Sequence, residues 1–151
     1  AGMVKKLIGN YYNWNPEVAD AFNSGKIDVE LVPQGSFAEG IRAAGVGVAA
    51  FFTPTAAGTE LSKGKEEREF NGRKYILQEA IKADVALISA AKSDTLGNLV
   101  YHKTARNFNP LMAMAADLVI AEVGEIVPAG TFDPECIATP HIFVDVLVQR
   151  G

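Results

Sequence analysis

Gln34 stands in Val32-Pro33-Gln34-Gly35 as an uncharged side chain that can both donate and accept hydrogen bonds. A carboxamide at such a position can hold a carboxylate or a thioester carbonyl without adding charge. The glycine beside it leaves room for backbone to approach a ligand. The stretch runs on through Gly40, Gly45 and Gly47 to Phe52-Thr53-Pro54-Thr55 and Gly58-Thr59. Its spacing is neither a Walker A loop nor a dinucleotide fingerprint, since Gly-Lys-Ser/Thr and G-x-G-x-x-G are both missing. Turns and helix caps also call for glycine, and that plainer reading stands beside ligand approach.

Other reactive side chains offer less. His102 and His141 lie far apart with no Cys or acidic residue at ligand spacing, so no metal site is expected. His102, beside Tyr101 at the end of a strand, reads as a surface or packing residue. Gly-x-Ser-x-Gly is absent, so no Ser-His-Asp nucleophile is marked. Cys136, the single cysteine, sits in Pro134-Glu135-Cys136, which reads as a helix start and hence as structural. Glu122 lies inside Leu118-Val119-Ile120-Ala121-Glu122-Val123, where a charge needs a partner; Arg106 or Arg42 is the expected one. Arg106-Asn107-Phe108-Asn109 leads into a helix of small and flexible apolar residues, either a core helix or the edge of a pocket or interface.

The elements that must place these residues alternate. Asn15-Pro16-Glu17, Asn109-Pro110 and Asp133-Pro134-Glu135 each put a capping side chain before proline at a first helical position. Ser36-Phe37-Ala38-Glu39 has capping-box spacing, and the helix it opens should stop at Gly45. The first helix should stop at Gly25. Strands are expected at Val4 to Tyr11, Ile27 to Val32, Val48 to Phe52 and Ile142 to Val148, the last with Asp145 at an edge. Val85 to Ala90 and Leu118 to Val123 are near-continuous apolar runs, as in strands covered on both faces. Glu66 to Gln78 differs: polar-alternating arms flank Asn71-Gly72, a type I′ hairpin signal. The expectation is an α/β fold: an open mixed or mainly parallel sheet, helices on both faces and a small β-hairpin excursion.

With 151 residues, 48% of them hydrophobic, the chain fits one domain. A formal net charge of −4 gives no electrostatic footprint for nucleic acid or an anionic membrane. No apolar run approaches the roughly 18 residues of a spanning helix. One cysteine excludes an internal disulfide and fits a reducing compartment, here the cytoplasm.

Taken in order, Glu30-Leu31-Val32-Pro33-Gln34-Gly35, Ile41-Arg42-Ala43, Ala50-Phe51-Phe52-Thr53-Pro54-Thr55 and Gly58-Thr59 resemble family I coenzyme A transferases. So do Ala83-Asp84-Val85-Ala86-Leu87-Ile88, Gly97-Asn98-Leu99 and Lys103-Thr104-Ala105-Arg106-Asn107-Phe108-Asn109-Pro110. The resemblance is to alpha subunits of the 3-oxoacid CoA-transferases, the succinyl-CoA:acetoacetate type, and extends from about Val4 to Val148. It implies transfer of CoA from an acyl-CoA to a free carboxylic acid through a glutamyl-CoA thioester. In the family the nucleophilic Glu lies in a Ser-Glu-Asn-Gly motif of the beta subunit. That motif is absent here, so no residue of this chain is expected to be the nucleophile. Gln34 matches the alpha-chain glutamine that faces the active site, with Gly35 beside it; Phe52, Thr53 and Asn107 are candidate pocket edges. No permanently bound cofactor is implied, only the CoA thioester as substrate. The implied partner is a CoA-transferase beta subunit, in an assembly of two alpha and two beta chains.

The sequence departs from the family at Gly40, where an Arg is usual, and at its front. Family alpha chains begin further upstream, with a Gly-Gly-Phe loop and an Asn-rich loop. Ala1-Gly2 ahead of Met3 reads as a scar of tag removal. The expectation is therefore an alpha chain lacking its amino-terminal segment, or the ordered portion of a longer polypeptide, inactive alone. Two rivals remain: a non-catalytic interaction module, and a sugar-phosphate isomerase on a related fold, which would need basic phosphate ligands near Gln34 and Thr53.

Overall fold

The computed structural model describes residues 2–12 and 15–151. They form two compact units, Ala1–Gly40 with Ala50–Glu79, and Ile41–Ala49 with Ala80–Gly151. The expected α/β class is the one found, with the strands distributed over three sheets.

In the first unit β1 (Lys6–Gly9) pairs in parallel with β2 (Asp28–Leu31), and α1 (Pro16–Asn23) connects them. Both strands are shorter than expected, because pairing runs only from Lys6↔Asp28 to Gly9↔Leu31. The Asn15 carboxamide accepts from the Glu17 and Val18 N–H groups, with Pro16 at the first position, as the sequence predicts. At the other end Gly25 takes φ +69, its N–H donates to Phe22 O, and Lys26 N–H donates to Ala21 O. That pair of bonds closes the last turn as a Schellman cap, which needs a left-handed residue.

The same unit holds a three-stranded antiparallel sheet, in the order β3 (Ala50–Thr53), β5 (Arg73–Glu79), β4 (Glu67–Phe70). Asn71 and Gly72 have φ of 52° and 76°, the left-handed pair that a type I′ turn requires. Alternation then sorts the faces. Ile76 and Gln78 are buried on one. On the other, Phe52, Phe70 and Tyr75 meet edge to face at centroid distances of 5.5 and 5.3 Å, and the Arg68 guanidinium lies 5.0 Å from the Phe52 ring centre.

Helix α2 (Gln34–Gly45) begins in the first unit and ends in the second. It starts three residues earlier than the capping-box spacing predicts, at Gln34 instead of Phe37. The Pro33 carbonyl takes the Phe37 N–H at 2.8 Å, which makes Gln34 the first helical residue. Ser36 is therefore buried within the first turn instead of capping it.

The second unit contains the largest sheet, ordered β7 (Leu99–Val100), β6 (Ala83–Asp94), β8 (Ala116–Val127), β9 (Val146–Gln149). β6, β8 and β9 are parallel, while β7 folds back on β6. Helix α3 (Asn109–Met114) connects β6 to β8, a βαβ crossover. Ile88, Leu99, Ala113, Val119 and Val123 form the core, with Tyr101, Met112, Phe143 and Leu147 packed against it. At Gly45 an added Cβ would lie 2.6 Å from Met114 Cβ, so the missing side chain lets α2 and α3 approach. Where the sequence suggests strands covered on both faces, period 2 governs instead. Ala86, Ile88 and Ala90 are buried, whereas Val85 and Leu87 are 46% and 70% exposed. Val146 and Val148 are exposed as well. The last strand is shorter than Ile142 to Val148, since His141–Phe143 forms a 3-10 turn and Asp145 accepts the Val119 N–H at 2.7 Å.

Candidate functional site

Gln34 owes its place to the chain leaving β2 through buried Val32 and turning at Pro33 into α2. Its side chain is exposed at the first turn and makes no hydrogen bond among the described residues. It is a helix residue, where the sequence places it in a loop. Gly35 is exposed too, and nothing lies within 4 Å of where a Cβ would project. Its φ is not in the left-handed region. Glycine in a helix costs up to about 1 kcal/mol relative to alanine. Among the described residues neither packing nor backbone conformation requires a glycine at this position.

Phe52 and Thr53 close β3 in the same unit. Phe52 is half-buried beneath Arg68, whose Nε also donates to Glu66 at 2.7 Å. The Thr53 hydroxyl accepts the Thr55 N–H at 3.2 Å, which fixes the start of the following loop and leaves its own proton free to donate. Asn107 belongs to the second unit. It is exposed, with φ 43° and ψ −133°, a sparsely populated backbone region for a residue with a side chain. Lys103, four residues earlier, also has positive φ, at 52°. The two bracket the 3-10 turn Lys103–Arg106.

Asn109 corrects the expected cap. It is the first residue of α3, and its Oδ1 accepts the Ser89 N–H at 3.1 Å, while its Nδ2 donates to the Ala105 and Arg106 carbonyls. It ties the loop to the edge of β6. Glu122 is corrected as well: it is exposed, and its partner is Arg150, not Arg106 or Arg42. Asp133 caps Glu135 as expected, over a single 3-10 turn that leaves Cys136 exposed.

Two constellations bring together residues that the sequence reading names only separately, such as Asn98, His102 and Asn109, with others it does not single out, Asp94, Ser89 and Arg150. Asp94, 2% exposed, accepts the Leu96, Gly97 and Asn98 N–H groups and the Asn98 side chain at 2.8 to 3.0 Å. Burial pushes its pKa up, but these four bonds together outweigh burial and hold the carboxyl below its ordinary value. Asn98 in turn accepts the His141 N–H at 2.9 Å. The Asp-x-x-Gly-Asn spacing is a legible turn signal for this network. The second constellation is a cavity of about 260 Å³ lined by Ser89, Tyr101, His102, Asn109 and Arg150. Burial raises the Tyr101 phenol, with its hydrogen bond to Thr139 and the Arg106 charge acting the other way. No local pattern pairs Ser89 with Arg150, 61 positions away.

The family model of Coenzyme A transferase matches residues 1–150. A succinyl-CoA:3-ketoacid coenzyme A transferase subunit from Helicobacter pylori strain J99 is 55% identical over 93% of this chain and 61% of its own length. A 3-oxoadipate CoA-transferase subunit from Pseudomonas putida is 49% identical over 98% of this chain and 65% of its own length. Among solved structures, an acyl-CoA transferase from Escherichia coli O157:H7, as a thioester complex with CoA, superposes with a TM-score of 0.84. It has 22% identity over 97% of this chain and 34% of that one, a likeness of fold. The chain thus spans about three-fifths of the length of the curated relatives it matches. A match over nearly every residue, with half the positions identical to named transferase subunits, places the chain in the coenzyme A transferase family.

Proposed function

We propose that this chain is the alpha-type subunit of a CoA-transferase that moves CoA from an acyl-CoA to a small carboxylic acid. The observation that carries the reading, beside family membership, is the Gln34-Gly35 pair: an exposed, unengaged carboxamide next to a glycine that its own chain does not require. Gln34 is the positioning group. Its N–H donors meet the acceptor carboxylate or the thioester carbonyl, and a donor fixed where charge develops lowers the barrier. Phe52, Thr53 and Asn107 are proposed as pocket edges. The nucleophilic glutamate, which forms the glutamyl-CoA thioester, is supplied by a beta subunit, two of each chain making the assembly. Succinyl-CoA and acetoacetate are the proposed donor and acceptor. The two relatives named above carry different acceptors in their names, so 3-oxoadipate follows, with acetate and butyrate behind. CoA enters as substrate, and the proposed compartment is the cytoplasm.

Co-expression with a beta subunit tests the reading. The complex should form a hydroxylamine-sensitive glutamyl-CoA and transfer CoA from succinyl-CoA to acetoacetate, while the isolated chain should not exceed a no-protein blank. Gln34→Ala in the complex should lower kcat by about 10- to 100-fold with a smaller change in KM. A complex that assembles and stays inert would instead support a non-catalytic interaction module.

A further inference from the structure

We propose that the cavity at the free edge of β6 is a binding site for a small oxyanion, a carboxylate or a phosphate group, held by Arg150, Ser89 and His102. β7 pairs with β6 only at Lys92 and Ser93, so the edge around Ser89 is open. Asn109 occupies one stretch of it by taking the Ser89 N–H. With its acceptor and both donors engaged, the Asn109 carboxamide is a fixed wall. Arg150 is oriented from behind. Its Nε and Nη2 both donate to Glu122 Oε2, at 3.1 and 2.5 Å, and Nη2 also reaches Ser89 Oγ at 3.2 Å. Nη1 has no partner among the described residues. A guanidinium held in one plane by Glu122 and Ser89 leaves Nη1 to donate to an oxyanion beside the Ser89 hydroxyl.

Ser89 Oγ receives from Arg150 and keeps its own proton to donate. The His102 imidazole, exposed at the cavity, makes no hydrogen bond among the described residues. The Arg106 charge acts on Tyr101 in the cavity lining, which adds a second cation near Arg150. The backbone at Lys103 and Asn107 holds a sparsely populated conformation on either side. At about 260 Å³ the cavity is below the roughly 300–1,000 Å³ of sites for drug-sized ligands, which fits a single acid group.

The inference rests on the cavity alone, so it and the transferase reading fail separately. The 151-residue chain is titrated at constant ionic strength with sodium succinate and, separately, with inorganic phosphate, following the His102 ring protons by NMR. A saturable shift is expected. Arg150→Gln should weaken binding at least about tenfold and Ser89→Ala by about threefold to tenfold, the range for charge-assisted and neutral hydrogen bonds. Lys82→Gln, which removes a cation paired with Asp117, should leave it unchanged. If Arg150→Gln fails to fold by circular dichroism, Ser89→Ala and Arg150→Lys decide, since lysine keeps the charge and loses the fork. Saturation by succinate alone assigns a carboxylate, and by phosphate alone a phosphate group. A linear shift with both anions, or equal weakening by Lys82→Gln, would overturn the proposal.

Discussion

At the scale of single residues, Asp94 and Gln34 illustrate opposite uses of a polar side chain. Asp94 is buried and spends its acceptor capacity on four donors, which fixes the turn that brings β7 back onto β6. Because its folded pKa lies below the ordinary Asp value of about 3.9, the unfolded chain takes up the proton more readily. The stabilisation is therefore complete above about pH 5 and is lost as pH falls through 4 and below. Asp94→Asn should cost about 1–3 kcal/mol at pH 7 and flatten the acid limb of stability, measured by urea unfolding at pH 3 and pH 7. Gln34 makes no side-chain hydrogen bond among the described residues, which is why its replacement should be felt in kcat and hardly in stability. The sequence makes Gln34 conspicuous through its neighbours and Asp94 only through a turn signature. Arg150, the cation on which the proposed oxyanion site depends, carries no local signal at all.

Elements were legible where chemistry is local. Asn15 with Pro16, Gly25, and Asn71 with Gly72 act on backbone groups within a few positions, and the structure uses each as the sequence suggests. Asn109 has the same Asn-Pro signature as Asn15 but stands inside its helix, after Phe108 at the cap position, and its Oδ1 accepts the Ser89 N–H on the edge of β6. The capping-box spacing at Ser36 failed for a similar reason: the Pro33 carbonyl had already started the helix. Tertiary approach leaves a fainter trace. Gly45 reads as a helix stop, and it is also where α2 meets Met114. Gly45→Ala would gain up to about 1 kcal/mol in helix propensity. Overpacking against Met114 Cβ at 2.6 Å should cost about 1–3 kcal/mol, so net destabilisation is expected, read as a lower urea midpoint with an unchanged m-value.

At the scale of the molecule, the α/β class follows from strand and helix alternating along the chain, and the division of the strands among three sheets does not. An apolar run looks the same whether one face of its strand is covered or two, and only the period-2 burial of Ala86, Ile88 and Ala90 separates the cases. The outer face of the largest sheet leaves Val85, Leu87, Leu118, Val146 and Val148 in contact with solvent, together with the Glu122–Arg150 pair. Such a surface should take up a hydrophobic fluorescent dye in the folded state, and Leu87→Ser should reduce that signal without lowering stability by more than about 0.5 kcal/mol. Burial of apolar surface lowers the heat capacity and is driven by solvent entropy near room temperature. Solutions of the isolated chain should consequently clear on chilling and turn turbid on gentle warming, well below the melting of the fold.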